Sequence, residues 1–197
     1  MATNRTYTVP YRRKREGKTD YKKRMKLLLG NKLRLVLRKS SRHISLQIVE
    51  FKPKGDSIVA SANSSELEKF GWKGSFANTS AAYLTGLLLA RKVKKNLTCV
   101  LDIGHTTSIK GAIIYASAKG CLDGGLQVPF APEVAPVMNR IRGEHIAQYA
   151  KVLKQDKGKY QKQFGGYVKA GFDPETMPAH FDQIKSKIGA LSDSVKV

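Results

Sequence analysis

Residues 11–28 read YRRKREGKTDYKKRMKLL, nine Lys and Arg in eighteen positions with only Glu16 and Asp20 to oppose them. Such a segment cannot enter a core, because a charge taken out of water without a partner costs several kcal/mol. It must lie outside whatever body the chain builds, and like charges at this density call for a counter-charge on another molecule. The surplus is concentrated at one end. Residues 1–42 hold fifteen Lys and Arg against two acids, whereas residues 43–197 hold twenty-one against thirteen. The net charge is +21, well beyond the magnitude of roughly 2–8 that solubility requires. A solvated helix face would mix both signs, and this segment does not. The chain is a mildly basic body, 41% hydrophobic and able to bury a core, that carries a strongly basic arm.

The counter-charge is a polyanion: nucleic acid, an anionic membrane or a very acidic protein. A membrane-surface helix interleaves its cations with Trp, Phe and Leu on one face. Here the aromatics are Tyr7, Tyr11 and Tyr21, and Pro10 and Gly17 interrupt any helix. Tyrosine stacks on bases and donates to phosphate, and the planar fork of Arg does both, so nucleic acid is favoured over a membrane. No apolar run approaches the roughly 20 residues of a membrane-crossing helix. The N-terminal MATNRTYTV lacks the apolar centre of a secretory signal, and the basic stretch leads straight into apolar strands, so it reads as mature protein. Cys99 and Cys121 are too few and too far apart for a disulfide framework, which fits a reducing cytoplasm.

Along the chain, residues 1–19 are expected to be extended and disordered in isolation. Thr19 or Asp20 can cap a short helix from Tyr21 to Leu29, stopped by Gly30-Asn31 and anchored to the body by Leu27, Leu28 and Leu29. Three strand-like runs follow: LRLVLR (33–38) and ISLQIVEF (44–51), which alternate, and SIVAS (57–61) after the turn signal at 52–56, joined by loops short enough for an antiparallel meander. Arg34 and Arg38 share one face of the first strand and would extend the basic surface. Asn78-Thr79-Ser80 caps a helix over 81–95 that is apolar almost all round, hence packed on more than one side. LTCVLDI (97–103) reads as a buried strand, Ile109–Leu122 as a helix, and 127–136 as a Pro-marked linker. A single helix is expected from about 133–137 to Leu153, with Val137, Ile141, Tyr149 and Val152 on one side and Arg140, Glu144, Ala147 and Lys151 opposite. The tail shows one short helix after Pro178. The order of strands and helices implies a mixed α/β sheet with helices against it. It divides into a basic arm and short helix over 1–30, an α/β body over 31–154 and a C-terminal extension over 155–197.

Sites of catalysis are scarce. LDIGHTTSIKG (101–111) places an Asp at the end of a buried strand before Gly, Thr and Ser, which is where ribonuclease-like folds hold a divalent ion. Two-metal chemistry needs several converging carboxylates, and the next acid after Asp102 is Asp123, on a turn. A capping role for Asp102 and Gly104 is favoured. The alternative is a metal-dependent ribonuclease-like or nucleotide-processing enzyme that uses Asp102. GxxxxGK[ST] is absent, as are CxxC and a His pair at helical spacing. No cofactor is expected. His145 reads either as a partly buried, satisfied histidine or, with Arg140 and Arg142 one turn earlier, as a contact to phosphate or base.

Four stretches carry a family resemblance: YRRKREGKTDYKKRMKLL with LRLVLRKSSRH, NTSAAYLTGLLLARK (78–92), LDIGHTTSIKGAIIYASAKGCLDGGLQVP (101–129) and RIRGEHIAQYAKVL (140–153). Together they resemble the family of the universal large-subunit ribosomal protein number eighteen, in its longer archaeal form, related to the eukaryotic 5S rRNA-binding ribosomal protein. The resemblance implies a ribonuclease-H-like α/β fold without catalytic acids. It implies a cytoplasmic, non-enzymatic constituent of the large subunit that binds 5S rRNA and links it to the large-subunit (23S-type) rRNA in the central protuberance, among neighbouring large-subunit proteins and with no membrane partner. The implied RNA contacts are Tyr11, Arg12, Arg13, Lys14, Arg15, Lys18, Tyr21, Lys22 and Arg24 in the arm. To these it adds Arg34, Arg38, Ser40, Arg42, Arg140, Arg142 and His145.

Overall fold

A computed structural model of the chain describes residues 8–93 and 97–191. Tyr7, the start of the arm and the end of the helix expected over 81–95 lie outside the described residues. The elements in chain order are α1 (Arg12–Arg15), α2 (Tyr21–Leu28), β1 (Leu33–Lys39), β2 (Ile44–Glu50), β3 (Ser57–Asn63), α3 (Thr79–Arg91), β4 (Cys99–Asp102), α4 (Ile113–Asp123), α5 (Met138–Arg142), α6 (Glu144–Leu153), α7 (Lys157–Lys169) and α8 (Met177–Gly189).

The meander forms as its alternation requires. The sheet order is β3-β2-β1-β4, with β1, β2 and β3 antiparallel and β4 parallel to β1. The mixed α/β sheet expected from the sequence is therefore present. Leu35 pairs with Ile48 and Leu101, and Leu37 with Leu46, so one face of the sheet is continuously apolar. On that face lies α3, capped by Asn78 Oδ1 accepting from Ala81 N–H at 2.7 Å and buried from Thr79 to Ala90. It stays buried all round because α4 and α8 cover the sides that the sheet leaves free.

The contact between α3 and α4 is backbone to backbone. A Cβ added at Gly120 would sit 2.1 Å from the Tyr83 carbonyl oxygen, and one at Gly86 would sit 2.2 Å from that of Ser117. Only glycine fits, because neither neighbour is a side chain that can swing away. Gly120→Ala is therefore expected to destabilise the chain by about 1–3 kcal/mol through overpacking, measurable as a lowered denaturation midpoint with an unchanged slope.

Five expectations are corrected. Residues 12–15 are not extended: Lys14 and Arg15 N–H donate to the Tyr11 carbonyl, and Gly17, at φ 64°, lets Lys18 N–H close back onto the Arg13 carbonyl. Leu29 does not anchor the arm but is 77% exposed, because Asn31 at φ 46° turns the chain away just after it. The single helix over 137–153 is two, α5 and α6, broken at Gly143 with φ 84°. Val137, Tyr149 and Val152 are consequently exposed, while Ala147 and Ala150 are buried with Ile141.

The fourth correction is the tail, which is helical through most of its length. Met177, Phe181, Ile184 and Ile188 on α8 are buried in the same cluster as Leu35, Tyr83 and Cys99. Pro178 sits in the first turn of that helix, where its missing N–H costs nothing. The helix expected from Ile109 starts instead at Ile113, after Gly111 at φ 76°.

Candidate nucleic-acid interface

Opposite α3, the outward side of the sheet faces the arm. Asp20 caps α2, its carboxylate accepting from Lys22 and Lys23 N–H at 3.0 and 3.1 Å. Between α2 and the sheet runs a groove with a cavity volume of about 900 Å³. Its cations are Arg13, Lys18, Lys23, Arg24, Lys26, Arg34 and Arg38, with His105 at the end of β4 and Val36, Gln47 and Ile58 as its floor. A smaller apolar recess, between Met25 and Leu28 of α2, Leu29 just after it and Phe51, lies beside it.

Two carboxylates order the deeper cations. Arg24 Nη2 donates to both oxygens of Asp56 at 2.8 and 2.9 Å, and Arg34 Nη2 donates to the same carboxylate at 2.7 Å. Arg34 Nη1 reaches Asp102 at 3.3 Å, and Arg38 Nη2 donates to the other Asp102 oxygen at 3.1 Å. Gly104 N–H donates to that same oxygen at 2.9 Å. Gly104 has φ 62°, and a Cβ there would strike the Arg38 guanidinium at 2.9 Å, so the turn after β4 is shaped around this arginine. The result is a continuous ladder, Arg24–Asp56–Arg34–Asp102–Arg38, running from α2 across the sheet.

The ladder corrects the reading of Arg34 as exposed basic surface. It is 2% exposed, and its guanidinium is held by two carboxylates. Arg34 thus fastens the arm's second helix to the sheet. Asp102 is likewise committed on both oxygens, as the capping role requires.

Burial raises the Asp56 carboxyl, but the Arg34 and Arg24 guanidiniums outweigh it and leave its pKa below the ordinary Asp value. A folded pKa below the unfolded one means that this link is intact above about pH 4 and is lost as pH falls through the lowered value. Amide protection in α2, corrected for the intrinsic exchange rate, is therefore expected to fall as the solution is acidified below about pH 4, while α3 stays protected. Asp56→Asn should show the same loosening of α2 at pH 6, since the Arg24 contact is worth about 1 kcal/mol.

The other expected contacts fall in three places. Tyr11 and Tyr21 lie with ring centroids 5.2 Å apart, and Tyr11 is exposed. Arg12 and Lys18 both pair with Glu16 at 2.8 Å, Arg13 Nε donates to Thr19, and Lys14, Arg15 and Lys22 point to solvent. Ser40 and Arg42 sit on the β1–β2 turn, where Ser40 Oγ accepts from His43 N–H at 2.9 Å. Arg140, Arg142 and His145 are on α5 and α6, away from the groove on the helical side of the sheet. Arg142 is engaged there by Asp182 of α8. His145 is exposed, its pKa lowered first by desolvation and then by Arg140. Lys23, Lys26 and His105 also line the groove. The density of the basic run marks the two lysines, but nothing local marks His105.

The sequence model of the family described as "Ribosomal large subunit proteins 60S L5, and 50S L18" matches residues 5–98. Large ribosomal subunit protein uL18 of Thermofilum pendens is 48% identical over 191 residues, covering 95% of this chain and 97% of that protein. The chain belongs to the uL18 family. As a member it is a structural constituent of the large ribosomal subunit, with ribosomal RNA and ribosomal proteins as its surroundings, and not an enzyme. The reading of Asp102 as a catalytic metal ligand falls with that assignment. The cysteines agree with it: burial pushes the Cys99 thiol up to about 11 and raises that of Cys121 as well, so neither is a nucleophile at neutral pH.

Proposed function

We propose that the chain binds 5S rRNA through the arm and the groove beneath it, and links that RNA to the large-subunit rRNA in the central protuberance of a cytoplasmic ribosome. The observation that carries this reading is the groove itself. Its cations converge from α2, the arm and the sheet onto one channel, and the Arg24–Asp56–Arg34 link holds the channel's two walls together. Phosphate contacts from Arg12, Arg13, Lys14, Arg15, Lys18, Lys22, Lys23 and Lys26 supply affinity without sequence information. Tyr11 and Tyr21 supply flat faces for unpaired bases, the usual route to sequence preference in RNA. Arg38 keeps part of its guanidinium at the groove, while Arg24 and Arg34 position the walls.

Chemical footprinting of 5S rRNA with and without the purified chain tests the reading. The expected result is a compact protected region, retained against an excess of random duplex DNA at moderate salt. Protection lost equally to that DNA would make the chain a nonspecific coat and overturn the proposal.

A further inference from the structure

A protein that joins two RNAs needs two cationic surfaces, and the groove supplies one. A second stands on α7. From Lys151 to Lys169 the chain carries six lysines and one acid. That acid, Asp156, is used within the segment: its carboxylate accepts from Lys159 N–H at 3.2 Å as the helix cap and pairs with Lys159 Nζ at 3.0 Å. Lys162 and Lys169 are exposed and have no ion-pair partner among the described residues.

Helix stability does not account for these lysines. Lys157 and Lys159 stand in the first turn of α7, which holds no acid, although the dipole there favours anions. The side of α7 turned to the body is aromatic, with Phe164 buried between Tyr160 and Tyr167. At about 3.6 residues per turn, Lys159, Lys162 and Lys169 fall on the opposite side. Their setting also separates them from the arm. α7 packs on α6, α6 on α8 and α8 on α3, and α3 covers the sheet face that the groove does not use.

We propose that the lysine face of α7 is a second RNA-backbone site, and that it holds a segment of RNA other than the one in the groove. This rests on the reading of the groove as a 5S rRNA site. Phosphate fits the face better than an acidic protein does. Protein interfaces are anchored by buried aromatic or aliphatic side chains, whereas on the side of the helix that carries these lysines the other positions are Gly158, Gly165 and Gly166, with one exposed aliphatic residue, Val168, at its edge. A phosphate backbone needs only spaced point charges, which lysine provides.

The test uses the full chain with Lys159, Lys162 and Lys169 changed to Gln, a residue of similar helix propensity. Immobilised 5S rRNA captures wild type or variant, and labelled transcripts of large-subunit rRNA segments are then offered from solution. The variant is expected to bind 5S rRNA within about twofold of wild type. Its capture of the second RNA should fall about tenfold or more, with a log–log salt slope shallower by roughly 2–3. Circular dichroism and melting should be unchanged. Unaltered capture, or parallel loss of both RNAs, would overturn the proposal. So would poly-glutamate binding that depends on these lysines when the rRNA segments' binding does not. If wild type fails to hold 5S rRNA, the groove reading falls alone, because direct titration of the rRNA segments onto wild type and variant still decides the role of α7.

Discussion

A chain lacking residues 1–19 is expected to bind 5S rRNA on the order of 10³-fold more weakly than the full chain near physiological salt, yet to melt within about 2 °C of it. The deletion removes Arg5, Arg12, Arg13, Lys14, Arg15 and Lys18. A cation that neutralises a phosphate releases a counterion worth about 1 kcal/mol at ~0.15 M salt, so six such cations carry roughly 5 kcal/mol. The log–log salt slope should become shallower by about 4–5. Stability should hardly move, because α1 contributes no buried residue and its ion pairs to Glu16 are exposed contacts of small worth. The cap of α2, Asp20, survives the cut. Gel-shift titrations at several salt concentrations, beside calorimetry, separate the two effects. An unchanged slope would take RNA contact away from the arm, and a melting point lowered by many degrees would make the arm part of the fold.

The contrast between an arm that buries no side chain and a body that encloses a core was legible in the chain, because burial and charge density are both local signals. β1 and β2 show a two-residue alternation, and their inward Leu35, Leu37, Ile44, Leu46 and Ile48 are buried, whereas β3 buries only Ala62 and leaves Ile58 and Val59 exposed. The α3 segment has no polar side to offer, so it had to be enclosed. The cap and the stop of α2 are written in Asp20 and in Gly30-Asn31. What was not legible depends on partners far away in sequence. Arg34 alternates with Leu33 and Leu35 as any solvent-facing cation would. Only Asp56 and Asp102, 22 and 68 residues distant, take it out of water.

The helical half shows the same limit in another form. A wheel drawn through 137–153 presumes one axis, and Gly143 resets the axis in the middle, which moves the buried side from Tyr149 and Val152 to Ala147 and Ala150. For α7 and α8 a signal was present. Tyr160, Phe164 and Tyr167 recur at helical spacing, as do Met177, Phe181, Ile184 and Ile188. Lys and Gly between them diluted it. In the groove, the cations of the arm are apparent from their density, whereas His105 joins them only because β4 lies parallel beside β1.

Arg34→Ala is expected to destabilise the folded chain by about 3–5 kcal/mol, chiefly the cost of leaving the buried Asp102 carboxylate short of counter-charge. Asp102 is 8% exposed and would keep only Arg38 and the Gly104 N–H, and Asp56 would keep only Arg24. Pairing the substitution with Asp102→Asn should recover part of the loss, since the uncompensated charge is then removed, and the double-mutant cycle measures the coupling directly. Arg34→Lys should not rescue the fold fully, because one ammonium cannot span two carboxylates as the guanidinium fork does. The RNA readout decides what Arg34 does. Under conditions where Arg34→Ala remains folded, its salt slope for 5S rRNA should stay within about 0.3 of wild type, whereas loss of a phosphate contact would flatten it by roughly 0.7–0.9. A flattened slope would put Arg34 on the RNA and would contradict a side chain that the structure seals between Asp56 and Asp102.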